Sequence, residues 1–320
     1  VVPPIDGIDD LGDRRWTSDD ATTARELPSR LVVLGGGVIG CELATAFARF
    51  GVAVDVVDAD PTAFGDLGDR IGPIVDDGLR RHGVTVRRGV EVASVARRRD
   101  PSAPQDRVVV TLANGEELSA DRLLVAAGRV PSVDGLGVEQ LGLDPDEPLP
   151  VGPTGRVAVD GSVWAIGDVA GRGQYTHVAN HQAAVVADHL AGDGARTFDD
   201  VATPACVFTD PPIVTVGPTP ADLAGDDDVV WASADLDRVA RWTTDELGDG
   251  HLMLGARRST SRLVAGHGAG ARFDDLASTL VVAIDADVPV ATLASSVHPF
   301  PTIGELFGAV VGDLARQLAC

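Results

Sequence analysis

An α/β fold followed by an α+β domain is predicted by three observations. Within residues 31–57, a short apolar run, a glycine turn, a helical apolar pattern and a β-branched run follow one another, which is one βαβ unit. From about residue 203 the character changes to short strand-like runs, acidic turns and two apolar helical stretches near 274–284 and 303–317. The length of 320 residues, 44% of them hydrophobic, suits roughly two domains and a large buried core.

Residues 1–30 are rich in Pro, Asp and Thr and read as a surface approach to the first strong element. Leu31-Val32-Val33-Leu34 reads as a buried strand that runs into the turn Gly35-Gly36-Gly37. Ile39, Leu43, Phe47 and Phe50 recur at helical spacing until Gly51 stops them, and 52–57 is a second strand ending in Asp58. A helix is predicted over 69–81, closed by Gly83. The runs 108–112 and 116–118 flank Asn114-Gly115, a hairpin signal, and 123–127 reads as another buried strand. A Gly- and Pro-rich connection over 128–155 leads to a strand at 163–166, then Gly167-Asp168, a helix over 179–190 and a polar break at Gly192-Asp193-Gly194. Further short strands are predicted at 206–208 and 213–216.

The chain carries 26 basic against 48 acidic side chains, a formal charge of −22. Every basic residue is Arg, so a Schiff-base or P-loop lysine has no part in its chemistry. The charge argues against nucleic acid and anionic membrane surfaces as partners. Cys41, Cys206 and Cys320 are far apart and imply no disulfide framework, as expected in a reducing cytoplasm. No signal-peptide pattern and no apolar run of eighteen residues is found, so a soluble, cytoplasmic protein is expected.

The strongest motif is Gly35-Gly36-Gly37-Val38-Ile39-Gly40, a GxGxxG with a strand before it, a helix after it and an acid closing the next strand. Gly35 permits the tight turn, Gly37 lets backbone approach a pyrophosphate, and Gly40 allows close packing of helix on strand. The N–H groups of the first helical turn, at Val38 and Ile39, then face the phosphates. Asp58, 23 residues beyond Gly35, is placed to accept from the adenosine ribose hydroxyls. A carboxylate there repels a 2′-phosphate and the next Arg in sequence is Arg70, which favours NAD over NADP. Glu42 is divided between complementing the helix dipole and a place near the nicotinamide. Cys41 reads as core filler. His177 and His181 have a metal-compatible spacing, but no third ligand accompanies them and no metal is expected.

Several stretches taken together resemble the pyridine nucleotide-disulfide oxidoreductases, the FAD enzymes that include dihydrolipoamide dehydrogenase, glutathione reductase and mercuric reductase. They are Trp16-Thr17-Ser18, the glycine turn, Leu124 to Pro131 with Gly128-Arg129-Val130-Pro131, Ala165 to Gly171, and Val207-Phe208-Thr209-Asp210-Pro211. The resemblance implies a Rossmann-type NAD-binding domain over 22–131, inserted in a partial FAD-binding domain made of 1–21 and 132–196, followed by an α+β dimerisation domain over 197–320. It gives Asp168 the ribityl chain of FAD and runs His177, Val178 and Ala179 along the flavin ring, with Gly128 and Arg129 in the turn that ends the NAD domain.

Two departures from the family pattern matter. The first flavin segment, with its own GxGxxG and a CxxxxC redox pair, is expected upstream of residue 1. Near the C-terminus Phe300 stands where the family has a His base, while Glu305, which would orient that base, is retained. Loss of a general acid/base typically forfeits about 10²–10⁴ in rate, which argues against glutathione- or lipoamide-like disulfide chemistry. His298, two residues upstream, is the candidate substitute. The expected function is therefore an FAD-dependent NAD(P)H oxidoreductase, a homodimer that passes hydride from NADH to FAD and on to a small-molecule acceptor. A non-catalytic NAD-binding module and a flavin-free NAD-dependent dehydrogenase are the alternatives.

Overall fold

The computed structural model describes residues 2–99, 106–130, 132–133, 135–145, 147–158, 161–192, 194–199 and 201–319. Pro131 of the Gly128–Pro131 turn, Asp193 of the polar break, and Cys320 lie outside the described residues. By their contacts the residues form two units, 1–128 with 206–320, and 129–205.

The first unit opens with β1 (Arg15–Trp16) and α1 (Ser18–Thr23), whose start is closed by a reciprocal Thr17–Asp20 capping box. Then come β2 (Arg30–Leu34), α2 (Val38–Arg49), β3 (Ala53–Val57), α3 (Ile71–Arg81) and β4 (Thr85–Arg87). A three-stranded antiparallel sheet of β5 (Val92–Arg98), β6 (Arg107–Leu112) and β7 (Glu117–Ala120) follows, and β8 (Arg122–Val125) returns to the first sheet between β1 and β2. That sheet has the order β1-β8-β2-β3-β4, and its four pairings are parallel. Residues 1–21, which the resemblance assigns to the flavin-binding part, thus supply this sheet with its edge strand β1.

A strand buried on both faces explains why Leu31–Leu34 reads as a continuous apolar run. Leu31, Val33, Val54, Val56 and Leu124 point to the side of α2 and α3, against Phe47, Ile71, Ile74 and Leu79. Val32, Leu34, Val57, Leu123 and Val125 point the other way, onto Val108, Val110, Leu112 and Leu118 of the antiparallel sheet. The sheet is covered on both sides.

The second unit holds α4 (Thr176–Ala191) and a small cluster of Val133, Val138, Leu149, Val157 and Ala165. The strand expected at 163–166 does not extend there. Val163 O accepts from Val157 N–H and Ala165 N–H donates to Gly155 O, so only a short hairpin-like contact forms, with a single bridge at Trp164. Among the described residues no longer strand pairs with it to propagate a ladder, and Ile166 is exposed.

The C-terminal half carries β9 (Pro204–Val207), β10 (Ile213–Val216), β11 (Val229–Asp235), α5 (Ala240–Asp245), β12 (His251–Arg257), β13 (Arg262–Ala269), α6 (Leu276–Asp285), α7 (Val290–Ala294) and α8 (Gly304–Leu318). The sheet order is β11-β12-β13-β10-β9; α8 packs on β11 and β12, and α6 on β13 and β10. Among the described residues no helix is long and apolar enough to cross a membrane.

His267 on β13 is fully buried. A carbonyl only accepts, so Nε2–H donates to Pro218 O at 2.9 Å, while Nδ1 is buried without a partner. Burial, the largest influence, holds the pKa below the ordinary 6.5, against the opposing pull of the Pro218 carbonyl, Asp66 and Asp222. The unfolded chain then binds this proton more readily than the fold does. The contribution is complete above about pH 6.5 and is lost as pH falls below it. The urea midpoint is expected to be lower at pH 5 than at pH 7, and His267→Gln to narrow that gap. An unchanged gap in the variant would remove His267 as a cause.

Candidate functional site

The turn after β2 is built by its glycines in different ways. Gly35 has φ +100°, a left-handed conformation, and a Cβ there would lie 2.6 Å from Ala126 O. A Cβ on Gly40 would lie 1.9 Å from Gly35 O, so α2 can sit this close to β2 only with glycine in that place. Gly37 is exposed, has open space where a Cβ would be, and heads α2 without any side-chain cap. The helix therefore begins with N–H groups that no side chain caps, next to backbone that a diphosphate can approach closely. Val38 and Ile39 are half-buried in that first turn.

Asp58 closes β3 beside this turn. Its Oδ2 accepts from Gly36 N–H at 2.9 Å and from Arg88 Nη1 at 2.7 Å, and its Oδ1 accepts from Asp60 N–H at 3.1 Å. A carboxylate has about four acceptor positions, so Oδ1 keeps one that a hydroxyl could occupy. Sequence reasoning missed Arg88. It follows β4 and binds Asp58 and Asp76, and an arginine after a strand reads simply as surface charge. Burial works against its charge, but hydrogen bonding to Asp76 and the charge of that carboxylate prevail and raise its pKa above the ordinary value.

Cys41 is fully buried and donates to Gly36 O at 3.0 Å; burial pushes its thiol up to about 11, against the opposite pull of Arg88. At neutral pH it is a thiol packed beneath the turn, without nucleophile character. Glu42 Oε1 accepts from Phe208 N–H at 2.8 Å and so joins α2 to the segment after β9.

In the second unit, Gly167 has φ +73° and begins a short 3-10 turn that contains Asp168. The Asp168 carboxylate is half-exposed and pairs with Arg129, whose Nη1 lies 3.6 Å away; Arg129 also donates to Gln174 O at 3.2 Å. The turn is fixed by Gln182, almost fully buried on α4, whose Oε1 accepts from Gly167 N–H at 2.7 Å. Sequence reading gave no role to Gln182. A half-exposed carboxylate on a rigid turn keeps acceptor positions beside its ion pair with Arg129 and suits a polyol, which fits the ribityl chain of a flavin. His177 Nε2 donates to Pro204 O at 2.7 Å and its ring stacks on Tyr175, while Val178 is buried and Ala179 half-buried on the same helix. Among the described residues no group of three or more His, Cys, Asp or Glu is gathered as a metal site. In the first unit, Gly128 is exposed with φ +113°.

Near the C-terminus, Glu305 Oε2 accepts from Thr302 N–H at 3.0 Å at the start of α8. Among the described residues no hydrogen bond joins it to His298. The His298 ring lies edge-on to Phe307 and against Gly308, with Nε2 buried and unpartnered, while Phe300 is 74% exposed.

Residues 1–183 match the family model for pyridine nucleotide-disulphide oxidoreductases, and residues 203–310 match that for the family's dimerisation domain. A dihydrolipoyl dehydrogenase of Pseudomonas aeruginosa is 35% identical over 298 residues, covering 92% of this chain and 62% of that protein. Another, from Haloferax volcanii, is 35% identical over 313 residues, covering 95% of this chain and 64% of the relative. The chain thus spans less than two thirds of the length of these relatives. The solved structure of the HOCl-induced flavoprotein disulfide reductase RclA from Escherichia coli superposes with a TM-score of 0.84 at 26% identity, over 98% of this chain and 71% of that one. With a glycine turn and an acid closing the next strand in one unit, a carboxylate-bearing turn in the other and a family model matching more than half its length, the chain belongs to the pyridine nucleotide-disulphide oxidoreductase family.

Proposed function

We propose that this chain is the greater part of an FAD-dependent oxidoreductase that takes hydride from NADH in preference to NADPH. It would act in a reducing cytoplasm as a homodimer formed through its C-terminal half, and deliver electrons to a small-molecule acceptor. The observation that carries the reading is the uncapped start of α2 beside a glycine turn, with Asp58 at the end of the next strand. The α2 N–H groups would hold the diphosphate and Asp58 Oδ1 would accept from a ribose hydroxyl. Preference for NADH is supported by charge: Asp58 and Asp76 around Arg88 leave one net negative charge where a 2′-phosphate would bring more. Asp168 would accept from the ribityl chain. A bound flavin supplies two-electron acceptor chemistry; the protein supplies orientation and electrostatics. Glu305 and His298 are the candidate proton-handling residues of the C-terminal half.

Calorimetric titration of the purified chain, supplied with FAD, against NADH and NADPH tests the reading. NADH is expected to bind at least about tenfold more tightly than NADPH, a difference of about 1.4 kcal/mol. Absence of heat with either nucleotide overturns the nucleotide site, and equal affinities overturn the preference.

A further inference from the structure

The guanidinium of Arg88 lies directly beneath the glycine turn with all five of its N–H donors engaged. Nε donates to Asp76, 3.2 Å from Oδ1 and 3.4 Å from Oδ2. Nη1 donates to Asp58 Oδ2 at 2.7 Å and to Gly36 O at 3.0 Å. Nη2 donates to Asp76 Oδ1 at 2.9 Å, with Cys41 Sγ 3.8 Å away. The side chain is 8% exposed and those of its two acidic partners 17% and 11%. A Cβ on Gly36 would fall 2.0 Å from Arg88 Nη1 and 2.8 Å from Asp58 Oδ2. The middle glycine of the turn, a position the GxGxxG pattern leaves free, is thus required by the ion pair beneath it.

We infer that Arg88 is a positioning residue for the nicotinamide nucleotide, holding Asp58 Oδ2 from below so that Oδ1 remains to receive the ribose. The inference rests on the nucleotide reading above. An Asp side chain turns freely about its last bond, and two hydrogen bonds on one oxygen, from Gly36 N–H and from Arg88, fix which oxygen faces the turn. Asp76 on α3 holds the guanidinium from its other edge, so the orientation of Asp58 depends on a helix that carries no other part of the site. Because no donor of Arg88 is spare, it has none to offer a 2′-phosphate and acts for NADH alone.

The test is a double-mutant cycle in NADH affinity, with urea unfolding measured alongside. R88Q is expected to weaken NADH roughly 10–30-fold, and D58N by a similar factor. If Arg88 works through Asp58, the double variant R88Q/D58N binds within about twofold of D58N alone. Additive losses would overturn the inference, since a general structural defect has no reason to vanish when Asp58 is changed. D76N, which keeps both Arg88 and Asp58, is expected to weaken NADH about threefold in the wild-type background and not at all in the D58N background. That pair decides the matter should R88Q fail to fold, and equal D76N losses in both backgrounds would overturn the inference. R88Q that folds and binds NADH within twofold of the wild type also overturns it. A wild-type chain that gives no NADH signal overturns the nucleotide reading itself.

Discussion

Gly40→Val is expected to remove both nucleotide binding and a large part of the stability of the first unit, whereas Gly37→Ala removes binding alone. The Gly40 Cβ position is 1.9 Å from Gly35 O and 3.4 Å from Val33 Cγ1, so any side chain there drives α2 off β2. Overpacking against fixed backbone costs about 3 kcal/mol, and the displaced α2 carries away the N–H groups that would meet the phosphates. NADH affinity should fall by about 100-fold or more. Gly37, by contrast, has φ −80° and nothing within 4 Å of a Cβ, so alanine fits the free protein without strain. Its methyl group stands only where a diphosphate would approach. Urea midpoints and NADH titrations on both variants separate the two roles. A Gly37→Ala chain with wild-type NADH affinity would contradict the assignment of the phosphates to this turn.

Phe273→Ala is expected to cost about 3–5 kcal/mol, the largest loss from a side-chain truncation that leaves the proposed nucleotide and flavin contacts untouched. Phe273 is fully buried just before α6, and its ring fills the space that two glycines leave open. Cβ atoms on Gly268 and Gly270 would each come within 2.8 Å of the ring. The ring thus seats on bare backbone at the end of β13, and alanine leaves a cavity that sheet and helix cannot close. Phe300→Ala, at a residue 74% exposed, should by comparison change the unfolding free energy of the monomer by no more than about 0.5 kcal/mol. Similar losses in the two variants would contradict the buried role of Phe273.

Legibility of the fold in the sequence follows how local its causes are. The βαβ unit is readable because strand, glycine turn, helix and acid lie within 28 consecutive residues and each has its own chemical signature. The long strands of the second sheet were not. Leu263 to Ala269 contains Gly266 and Gly268, which argue against a strand interior, and only the fold reveals that Leu280 and Phe273 press on the sheet at those two places. The apolar run at 163–166 misled in the opposite sense, since its composition suits a strand but its surroundings offer one bridge. At the site, the glycines and Asp58 announce themselves. Arg88 does not, because the acids it joins are 12 and 30 residues away. Gln182 likewise acts on a glycine 15 residues before it, across a turn that no helical periodicity foretells.

The first unit is assembled from two separated stretches of chain, and this bears on the order in which it is completed during synthesis. Gly78 on α3 lies so close to the backbone at Asp210 that a Cβ would sit 2.2 Å from its carbonyl oxygen, and His82 bonds Asp210 at 2.9 Å across 128 residues. At ordinary rates of translation, that partner leaves the ribosome about ten seconds after α3 does. Throughout that interval the outer face of the helix is bare, and the carboxylate of Glu42, whose backbone partner at Phe208 comes 166 residues later, is equally unmatched. A nascent chain arrested before residue 206 would present these surfaces to chaperones, and the same chain released at full length would hide them.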